Sequence, residues 1–500
     1  MTKLTNLEAV EDLRRTITVP SGLYINGEVR EAQSGKTIDL QAPRDGSVIG
    51  GIAAADEADV NDAVAAARLA FKSGVWSRIQ PVERGRVMQR WADLIHAHRD
   101  ELALLVALEM GKPISRARDV ELRTTANTIR WFGELSDKLL DEAPRDRPET
   151  LALITREPVG VVAAITPWNF PLTLAAFKLG PALVAGNSVI VKPATQAPLS
   201  VLRLCELGTD AGLPAGVLQV ITGSGGLAGS ALASHPGVDT VTFTGSTDVG
   251  KELLACSSRS NAKPVWLELG GKSPNIIFPD APDLDEAIDM AVWAITFNSG
   301  QMCTAGSRLV VHRDIADSVV DGVLERLDGL RRGDPLDPDT EFGPLSSERH
   351  RSDVLSEIRK GIEAGTRQIY GSGEAPDRPG WYIEPAVFVD VDPDSRLAQH
   401  EIFGPVLSVL TFKDETEALQ IANNSSYGLG SAVWTADLGR AHRVARELDA
   451  GLVWVNCFEE GDSSVPFGGR KLSGHGVDRS IHALDKFTTI KTTWIAMPSA

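Results

Sequence analysis

The sequence predicts an α/β protein with two doubly wound domains and a small additional β element. Between residues 161 and 269, short apolar strands alternate regularly with helical segments. This alternation predicts a parallel sheet covered on both faces, with ligands at the carboxyl ends of its strands. A second series of the same kind runs from 275 to 456, and 500 residues are too many for one small core.

The amino-terminal region is predicted to combine strands with helices. Residues 23–52 have the pattern of short strands, with Asn26-Gly27 as a hairpin signal. Apolar spacing predicts helices over 55–71, 81–98, 100–110 and 119–139. The charged, proline-bearing residues 141–150 are predicted to be a connector, followed by a strand at 151–157.

The two α/β series account for most of the remaining chain. The first has predicted strands at 161–165, 188–192, 217–221, 238–243 and 265–269, with helices at 172–183, 199–211, 227–234 and 249–256. The second has predicted strands at 275–278, 309–312, 387–391, 406–412, 430–434 and 452–456, with helices at 287–297, 316–330, 351–364, 415–422 and 438–448. The threonine-rich residues 487–495 are predicted to be an extended segment that pairs with a distant strand.

Composition and charge favour some classes of protein over others. Hydrophobic residues make up 43% of the chain and charged residues 23%, which is typical of a packed globular protein. The net charge of −17 argues against binding to nucleic acid or an anionic membrane, since both need a basic surface. It indicates either a well-solvated acidic surface or an acidic funnel for cationic substrates.

Cysteine use indicates a reducing compartment. The four cysteines, Cys205, Cys256, Cys303 and Cys457, are too few and too scattered for a disulfide framework, and without CxxC spacing no metal site is expected. The amino terminus lacks the apolar segment of a signal peptide, and no run of about 18 apolar residues occurs. We therefore expect a cytoplasmic protein.

One stretch, residues 297–308 (FNSGQMCTAGSR), organises the rest of the chain. It places Cys303 among small residues, between a predicted helix and a predicted strand, where a substrate can reach the thiol. Two other segments carry polar groups that could assist the thiol. PWNFP at 167–171 has the side-chain amide of Asn169, and ELGGKSP at 268–274 has the carboxylate of Glu268.

These three segments, together with EIFGP at 401–405 and PFGG at 466–469, resemble the signature of the NAD(P)-dependent aldehyde dehydrogenase superfamily. The resemblance extends from about residue 23 to residue 495. It implies a Rossmann-like cofactor domain at 1–140 with 159–269, and a catalytic domain at 270–478. It also implies an oligomerisation element at 141–158 with 479–500, and hence a homodimer or homotetramer.

The resemblance gives three residues catalytic roles that their chemistry supports. A thiolate at Cys303 can add to an aldehyde carbonyl, although a single cysteine is more often an inert buried residue. Asn169 can donate to the resulting oxyanion, the alternative being a helix cap near Leu172. Glu268 can activate the water that hydrolyses the thioester, whereas most glutamates are merely solvated charges.

A strand, a glycine turn and a helix start at 243–250 (FTGSTDVG) are predicted to bind the cofactor pyrophosphate. Lys192 resembles the lysine that holds the adenosine ribose or its phosphate, and Glu401 with Phe403 resembles the pair that positions the nicotinamide ribose and ring. The full set of cofactor candidates is Ile165, Thr166, Trp168, Lys192, Thr195, Gly225, Phe243, Gly245, Ser246, Val249, Leu269, Glu401 and Phe403.

Thr195 leaves the cofactor open between NAD and NADP. Relatives that are strict for NAD often carry glutamate at this position, where it binds the ribose hydroxyls and repels a 2′-phosphate. A neutral hydroxyl removes that repulsion, so use of both cofactors is the hypothesis.

Residues 461–495 are similar to bacterial ω-aminoaldehyde dehydrogenases, including the γ-glutamyl-γ-aminobutyraldehyde and guanidinobutyraldehyde enzymes. A cationic substrate would favour carboxylates at the mouth of the substrate tunnel. The candidates for these carboxylates are Glu121, Glu459, Glu460 and Asp462. The full set of substrate-lining candidates is Glu121, Phe170, Phe177, Met302, Thr304, Cys457, Asp462 and Phe467. Phe177 replaces a commoner Trp, and Arg470 follows PFGG in place of an apolar residue.

Other substrates and functions remain open at this point. A broad-specificity or succinate-semialdehyde dehydrogenase would carry the same motifs. In a CoA-acylating semialdehyde dehydrogenase CoA replaces water, and Glu268 argues against it. A non-catalytic structural or binding protein that keeps the fold is opposed by the intact Cys303, Glu268 and Asn169.

Overall fold

The computed structural model describes residue 4, residues 6–144 and residues 149–497. Parts of three predicted regions lie outside the described residues: the start of the cofactor domain, the middle of the connector at 141–150, and the last residues of 479–500. No helix among the described residues is both long enough and apolar enough to span a bilayer.

The described structure has a helix close to every predicted position and three more, at 7–16, 114–116 and 396–399, that were not predicted. The helices are α1 (Leu7–Thr16), α2 (Glu57–Ser73), α3 (Pro81–Ala97), α4 (Arg99–Met110), α5 (Ile114–Arg116), α6 (Leu122–Leu135), α7 (Pro171–Val184), α8 (Leu199–Asp210), α9 (Ser230–Ser234), α10 (Thr247–Ser258), α11 (Leu284–Thr296), α12 (Ala316–Asp328), α13 (Glu348–Glu363), α14 (Arg396–Gln399), α15 (Glu415–Asn423) and α16 (Leu438–Glu447). π-Helical turns occur at Ala117–Glu121 and Gly225–Gly229, and 3-10 turns at Phe297–Gly300 and Ile481–Lys486.

The predicted strands likewise have counterparts in the structure, and four further strands, at 367–370, 427–428, 470–471 and 474–475, were not predicted. The strands are β1 (Leu23–Ile25), β2 (Glu28–Arg30), β3 (Thr37–Gln41), β4 (Val48–Ala53), β5 (Thr150–Pro158), β6 (Val161–Ile165), β7 (Ser188–Lys192), β8 (Leu218–Val220), β9 (Thr240–Thr244), β10 (Val265–Glu268), β11 (Pro274–Ile277), β12 (Arg308–His312), β13 (Arg367–Tyr370), β14 (Ala386–Val389), β15 (Val406–Phe412), β16 (Tyr427–Gly428), β17 (Gly430–Trp434), β18 (Leu452–Val455), β19 (Arg470–Lys471), β20 (Gly474–His475) and β21 (Thr488–Ala496).

Two large sheets form the frame of the molecule. The first has the order β2-β1-β8-β7-β6-β9-β10-β20, with the five strands from β8 to β10 parallel. The second has the order β13-β14-β15-β12-β11-β17-β18 and is parallel from β14 to β18. Separate apolar clusters cover the faces of each sheet, so both are doubly wound as predicted.

Two smaller features lie outside the large α/β series. The predicted extended tail is β21, which pairs antiparallel with β5 from Thr488–Pro158 to Ala496–Thr150. Strand β20 lies within the range predicted for the catalytic domain, yet it pairs with β10 and completes the first sheet.

Candidate active site

The register of the first sheet brings several predicted site residues to one edge. Ile165 lies opposite Lys192 on one side and opposite Phe243 on the other, while Glu268 lies opposite Thr244. All end parallel strands, so they converge at the carboxyl edge of the sheet. The Cys303 loop comes from the second sheet, because it immediately precedes β12.

The loop that carries Cys303 has a strained backbone held by hydrogen bonds. Asn298 and Ser299 have φ values of 51° and 56°, in the left-handed region that costs non-glycine residues about 1–3 kcal/mol each. Gln301 Nε2 donates to the Asn298 carbonyl oxygen at 2.8 Å, and Ser346 N donates to Gln301 Oε1 at 2.9 Å. Strain that is held in this way typically marks a functional segment.

Cys303 is largely protected from water and rests as a neutral thiol. Burial raises the pKa of the Cys303 thiol, and the charges of Glu459, Glu401 and Glu268 raise that pKa further. A side chain at Gly271 would collide with the Cys303 carbonyl oxygen, which explains why glycine is needed in the ELGGKSP segment. A base is therefore required to generate the nucleophile.

Asn169 is aimed at the Cys303 loop from the loop before α7. Its Nδ2 donates to the Gln301 carbonyl oxygen at 3.0 Å. Its own carbonyl oxygen accepts from Lys112 Nζ and Asn298 Nδ2, both at 2.9 Å. The Asn169 side chain is not a cap of α7, whose first residues Leu172 and Thr173 donate instead to Glu121 Oε1.

Glu268 is a buried carboxyl with free oxygens. Neither Oε1 nor Oε2 has a hydrogen-bond partner among the described residues. Burial, together with the charge of Asp478, raises the pKa of Glu268 well above its ordinary value, although Lys486 and Lys178 oppose this. Such a carboxyl can hold and activate a water molecule.

Three charged residues form a buried network beside Glu268. Asp478 accepts from Lys178 Nζ at 3.4 Å and is also paired with Lys486. Burial alone would raise the pKa of Asp478, but the two lysines hold that pKa below its ordinary value. The predicted set contained none of these residues.

A cavity of about 200 Å³ contains Asn169 and Cys303 together with predicted cofactor residues. Those cofactor residues are Trp168, Gly245, Ser246, Leu269, Glu401 and Phe403. Glu401 Oε1 accepts from Gly271 N at 2.8 Å, and burial raises the pKa of Glu401 to about 7. Phe403 has a φ of 58° and lies edge-on to Trp168, with ring centroids 5.4 Å apart.

The residues present fit a dinucleotide. Helix α10 starts next to this cavity, and Ser246 makes no side-chain cap bond, so its first N–H groups are free for a phosphate. The Thr166 and Thr244 hydroxyls are buried and have no partner among the described residues. Lys192 and Thr195 donate only to backbone carbonyls, of Pro193 and Gly223, so both are available to a ribose.

The other predicted cofactor residues surround this edge. Ile165 and Phe243 are buried at the ends of β6 and β9. Val249 is exposed in the first turn of α10, and Gly225 is exposed at the start of the π-helical turn after β8. The neighbouring Gly229 approaches the aliphatic stem of Lys192.

Aromatic residues of the predicted substrate set form two groups. Phe170 stacks with Phe297 at 6.2 Å, beside the buried Met302. Phe177 and Phe467 lie 6.3 Å apart. Thr304 is buried beside Glu459.

The structure contradicts one of the three remaining polar or thiol candidates. Glu121 is wrong as a free carboxylate at a tunnel mouth, because its side chain is fully buried, pairs with Lys112 and binds the first residues of α7. Asp462 is exposed, but its Oδ1 accepts from the Ser464 N–H and hydroxyl at 2.7 and 2.6 Å. Cys457 is half-buried and packs against the apolar core of the second sheet.

His350 is a further cavity residue that sequence reasoning missed. Its Nε2 lies 2.8 Å from the Phe403 carbonyl oxygen, and its ring lies 5.1 Å from that of Trp168. Burial lowers the pKa of His350, so it is neutral at neutral pH. Its sequence neighbours are exposed helix residues that give no signal of this position, whereas Lys178 could have been noticed as the one charge in the buried helix α7.

A thiol, a buried carboxyl and a side-chain amide lie beside an edge that fits a dinucleotide, which is an arrangement suited to an oxidoreductase. The chain belongs to the aldehyde dehydrogenase family, whose pattern matches residues 29–493. It is an NAD(P)-dependent aldehyde dehydrogenase.

Several relatives are similar over nearly their whole length. The NADP/NAD-dependent aldehyde dehydrogenase PuuC of Escherichia coli is 47% identical, covering 97% of this chain and 98% of its own. A mutant of the indole-3-acetaldehyde dehydrogenase AldA of P. syringae, solved with NAD+ and IAA, is 49% identical with a TM-score of 0.97, covering 98% and 100%. A γ-glutamyl-γ-aminobutyraldehyde dehydrogenase from Burkholderia cenocepacia is 47% identical with a TM-score of 0.96, covering 99% and 100%.

Proposed function

We propose that this enzyme oxidises ω-aminoaldehydes to carboxylic acids, with Cys303 as nucleophile, Glu268 as base and Asn169 as oxyanion donor. The unpartnered, buried carboxyl of Glu268 beside the site of Cys303 and Asn169 carries the mechanism. The substrate class is supported by similarity to an aminoacetaldehyde dehydrogenase of Pseudomonas aeruginosa and to the γ-glutamyl-γ-aminobutyraldehyde dehydrogenase of Burkholderia cenocepacia. It is also supported by the buried carboxylate of Glu459 near the thiol.

The first step joins the aldehyde to the enzyme. Glu268 accepts the Cys303 proton, and the thiolate sulfur forms a bond to the carbonyl carbon while the carbonyl π electrons move to the oxygen. Asn169 Nδ2 carries a second N–H besides the one given to Gln301, and this N–H donates to the oxyanion. A donor of this kind is worth about 3 kcal/mol in the transition state.

The second half converts the adduct to the acid. A nicotinamide cofactor held at the carboxyl edge of the first sheet would supply the hydride acceptor, and loss of hydride from the adduct would leave a thioester on Cys303. Glu268 releases the Cys303 proton to solvent and then takes a proton from water as the water oxygen attacks the thioester carbon. Cleavage of the carbon–sulfur bond releases the acid and returns the proton to the Cys303 thiolate.

The chain's own residues position the cofactor in this proposal. The first turn of α10 and Ser246 bind the pyrophosphate, Lys192 and Thr195 face the adenosine ribose, and Glu401 with Phe403 positions the nicotinamide ribose and ring. Because Thr195 is neutral, no carboxylate at this position repels a 2′-phosphate, in keeping with use of either NAD or NADP.

Kinetic comparison of aldehydes tests the substrate class. We expect formation of reduced nicotinamide to be faster with γ-aminobutyraldehyde and guanidinobutyraldehyde than with propionaldehyde, succinate semialdehyde or indole-3-acetaldehyde. Cys303→Ala serves as the blank. Equal or better kcat/KM with the neutral, anionic or aromatic aldehydes would contradict the substrate class, and turnover by the blank would contradict the mechanism.

The division of the chain and its assembly are part of the same proposal. Residues 1–140 with 159–269 bind the cofactor, 270–478 carry the nucleophile, and 141–158 with 479–500 join subunits into a homodimer or homotetramer. The exposed apolar residues of β21 support the last assignment. The free cysteines are compatible with a cytoplasmic location.

A further inference from the structure

Arg479 is a charged residue near the thiol that the mechanism above does not use. Its guanidinium carbon lies 4.7 Å from the Phe177 ring centroid and 5.0 Å from the Phe467 ring centroid. These are two of the three aromatic residues predicted to line the aldehyde site. The backbone at Arg479 has a φ of 60°, a left-handed conformation that holds the side chain over the rings at a cost in strain.

The guanidinium is left without a carboxylate partner within the described part of the chain. The adjacent Asp478 is occupied by Lys178 and Lys486, and no ion pair of Arg479 within 4.0 Å is found among the described residues. Burial lowers the pKa of Arg479, but a guanidinium stays charged at neutral pH. Its N–H groups are therefore free to bind an acceptor on a ligand.

Glu459 provides a complementary acceptor close by. Its Oε1 is buried and has no hydrogen-bond partner among the described residues. A Cβ at Gly461, two residues later, would lie only 3.3 Å from Arg479 Nη1, so the guanidinium faces the loop that starts at Glu459. The charges of Glu459 and Arg479 act on each other and on Cys303, although the two side chains are not ion-paired.

We propose that Arg479 and Glu459 together bind the far end of the aldehyde, with Arg479 donating to a carboxylate or carbonyl oxygen and Glu459 accepting from an amine or amide N–H. The preferred substrates are then aldehydes whose far end carries an amide or an amino acid head group. This inference rests on the proposed function, because it requires the aldehyde carbon to be held at Cys303.

A site with both charges would select substrates differently from a simple acidic funnel. A plain cationic aldehyde satisfies Glu459 but brings a second cation beside Arg479, and a plain anionic aldehyde has the opposite defect. A far end with both a donor and an acceptor satisfies both groups. Leaving either group buried and unpaired in the complex is costly, so both contribute to specificity.

The test compares Arg479→Gln and Glu459→Gln on butyraldehyde, 4-aminobutyraldehyde, succinate semialdehyde and 4-acetamidobutyraldehyde. We expect Arg479→Gln to lower kcat/KM about 10- to 100-fold for succinate semialdehyde and 4-acetamidobutyraldehyde. The same variant should raise kcat/KM for 4-aminobutyraldehyde. For butyraldehyde, kcat/KM should stay within about twofold of the wild-type value. Glu459→Gln should have the opposite effect on the two charged aldehydes.

Two further variants separate binding from folding. Arg479→Lys keeps the charge and should retain part of the activity towards succinate semialdehyde that Arg479→Gln loses. Arg470→Gln changes an exposed arginine of the same segment and should leave all ratios unchanged. The decisive quantity is the ratio of kcat/KM between aldehydes within one variant, since misfolding lowers all rates equally.

The outcomes distinguish this inference from the proposed function. Equal losses on all four aldehydes in Arg479→Gln would overturn the binding role of Arg479. The wild type could prefer neutral aldehydes while the two variants still shift the kcat/KM ratios between aldehydes in opposite directions. That result would contradict the proposed aminoaldehyde substrate class but support recognition of the far end by Arg479 and Glu459. Turnover by Cys303→Ala would instead remove the mechanism on which both depend.

Discussion

Glu268 differs from an ordinary glutamate because both of its oxygens are buried and unpartnered within the described chain. If it is the base for thioester hydrolysis, Glu268→Gln should lower kcat by about 10²- to 10⁴-fold, because an amide cannot accept the proton from water. Steady-state kinetics with a good aldehyde measures this loss. Glu252→Gln, which changes an exposed glutamate on α10, is the matched control. If kcat of Glu268→Gln stays within about threefold of wild type, Glu268 is not the base for thioester hydrolysis.

The pH profile gives an independent check on the same residue. Burial raises the pKa of Glu268, and catalysis needs the ionised carboxylate, so kcat/KM should fall as pH drops through this raised pKa. The acid limb should therefore lie well above about pH 4.3, the value for an ordinary glutamate. An acid limb at the ordinary value, measured in buffers of constant ionic strength, would contradict this environment.

The pKa of Lys192 leads to a separate prediction about the preference between NADP and NAD. Burial lowers the pKa of Lys192 to about 8, so the free enzyme loses this positive charge as pH rises through that value. The ratio of kcat/KM for NADP to that for NAD should therefore fall above pH 8, since only NADP carries a 2′-phosphate. Groups that affect both cofactors cancel in the ratio.

Thr195→Glu supplies the matched change at neutral pH. We expect it to lower kcat/KM for NADP more than tenfold while that for NAD changes little, because a carboxylate repels the 2′-phosphate (about 1.4 kcal/mol per factor of ten). Equal effects of Thr195→Glu on kcat/KM for NAD and NADP would contradict the placement of Thr195 beside the adenosine ribose.

At single positions, sequence analysis found the site residues that stand in recognisable motifs. It missed residues that reach the site only because the fold brings distant segments together. Cys303, Asn169 and Glu268 stand in short segments with distinctive neighbours. Arg479 and His350 have no such neighbours, and their positions depend on where distant rings pack. Glu121 was misplaced because sequence spacing does not reveal its burial partner, Lys112.

At the scale of elements, the π-helical turn Ala117–Glu121 connects α5 to α6 and holds the loop of Asn169. Glu121 pairs with Lys112 and accepts from the first N–H groups of α7, while Lys112 Nζ donates to the Asn169 carbonyl oxygen. Lys112 also lies 3.7 Å from the Phe170 ring centroid. The turn and the pair thus fix the entry to α7, next to the oxyanion donor.

Lys112→Met should therefore affect both stability and catalysis. Removing one partner of a fully buried ion pair leaves the other uncompensated, and we expect the free energy of unfolding to fall by about 3–5 kcal/mol. Urea unfolding measures this change, and kcat of the folded fraction should also fall as Asn169 moves. Arg367→Met, which removes an exposed ion pair with Asp390, should change stability by less than about 1 kcal/mol; a similarly small loss in Lys112→Met would contradict the role of the pair.

Helices and strands were predictable where apolar periodicity governs them. The predicted strands 188–192, 406–412 and 430–434 have the same bounds in the structure. The helix predicted at 119–139 is instead the turn Ala117–Glu121 followed by α6, because the Lys112–Glu121 pair and contacts with α7 override local spacing. Helix α1 was not predicted: it is mostly polar, and within the helix only Val10 is buried.

At the scale of the whole molecule, the ribbon of β5 and β21 is the least self-sufficient part of the described structure. Two antiparallel strands are marginally stable alone, and β21 exposes most of its residues. Ile490 and Trp494 are 61% and 59% exposed, and residues four apart on a strand lie on the same face. An apolar face of this kind on an isolated ribbon is typical of a surface that another subunit covers.

We therefore expect the double variant Ile490→Glu with Trp494→Glu to shift the protein towards monomers, because each carboxylate would have to be buried without a partner. Light scattering after size-exclusion chromatography measures the mass. Ile362→Glu, an exposed change on α13, is the control and should leave the mass unchanged. Both residues lie on β21, which pairs with β5 and not with the strands that carry the site, so a monomer that keeps its turnover would separate assembly from catalysis. An unchanged mass would contradict the role of this ribbon in assembly.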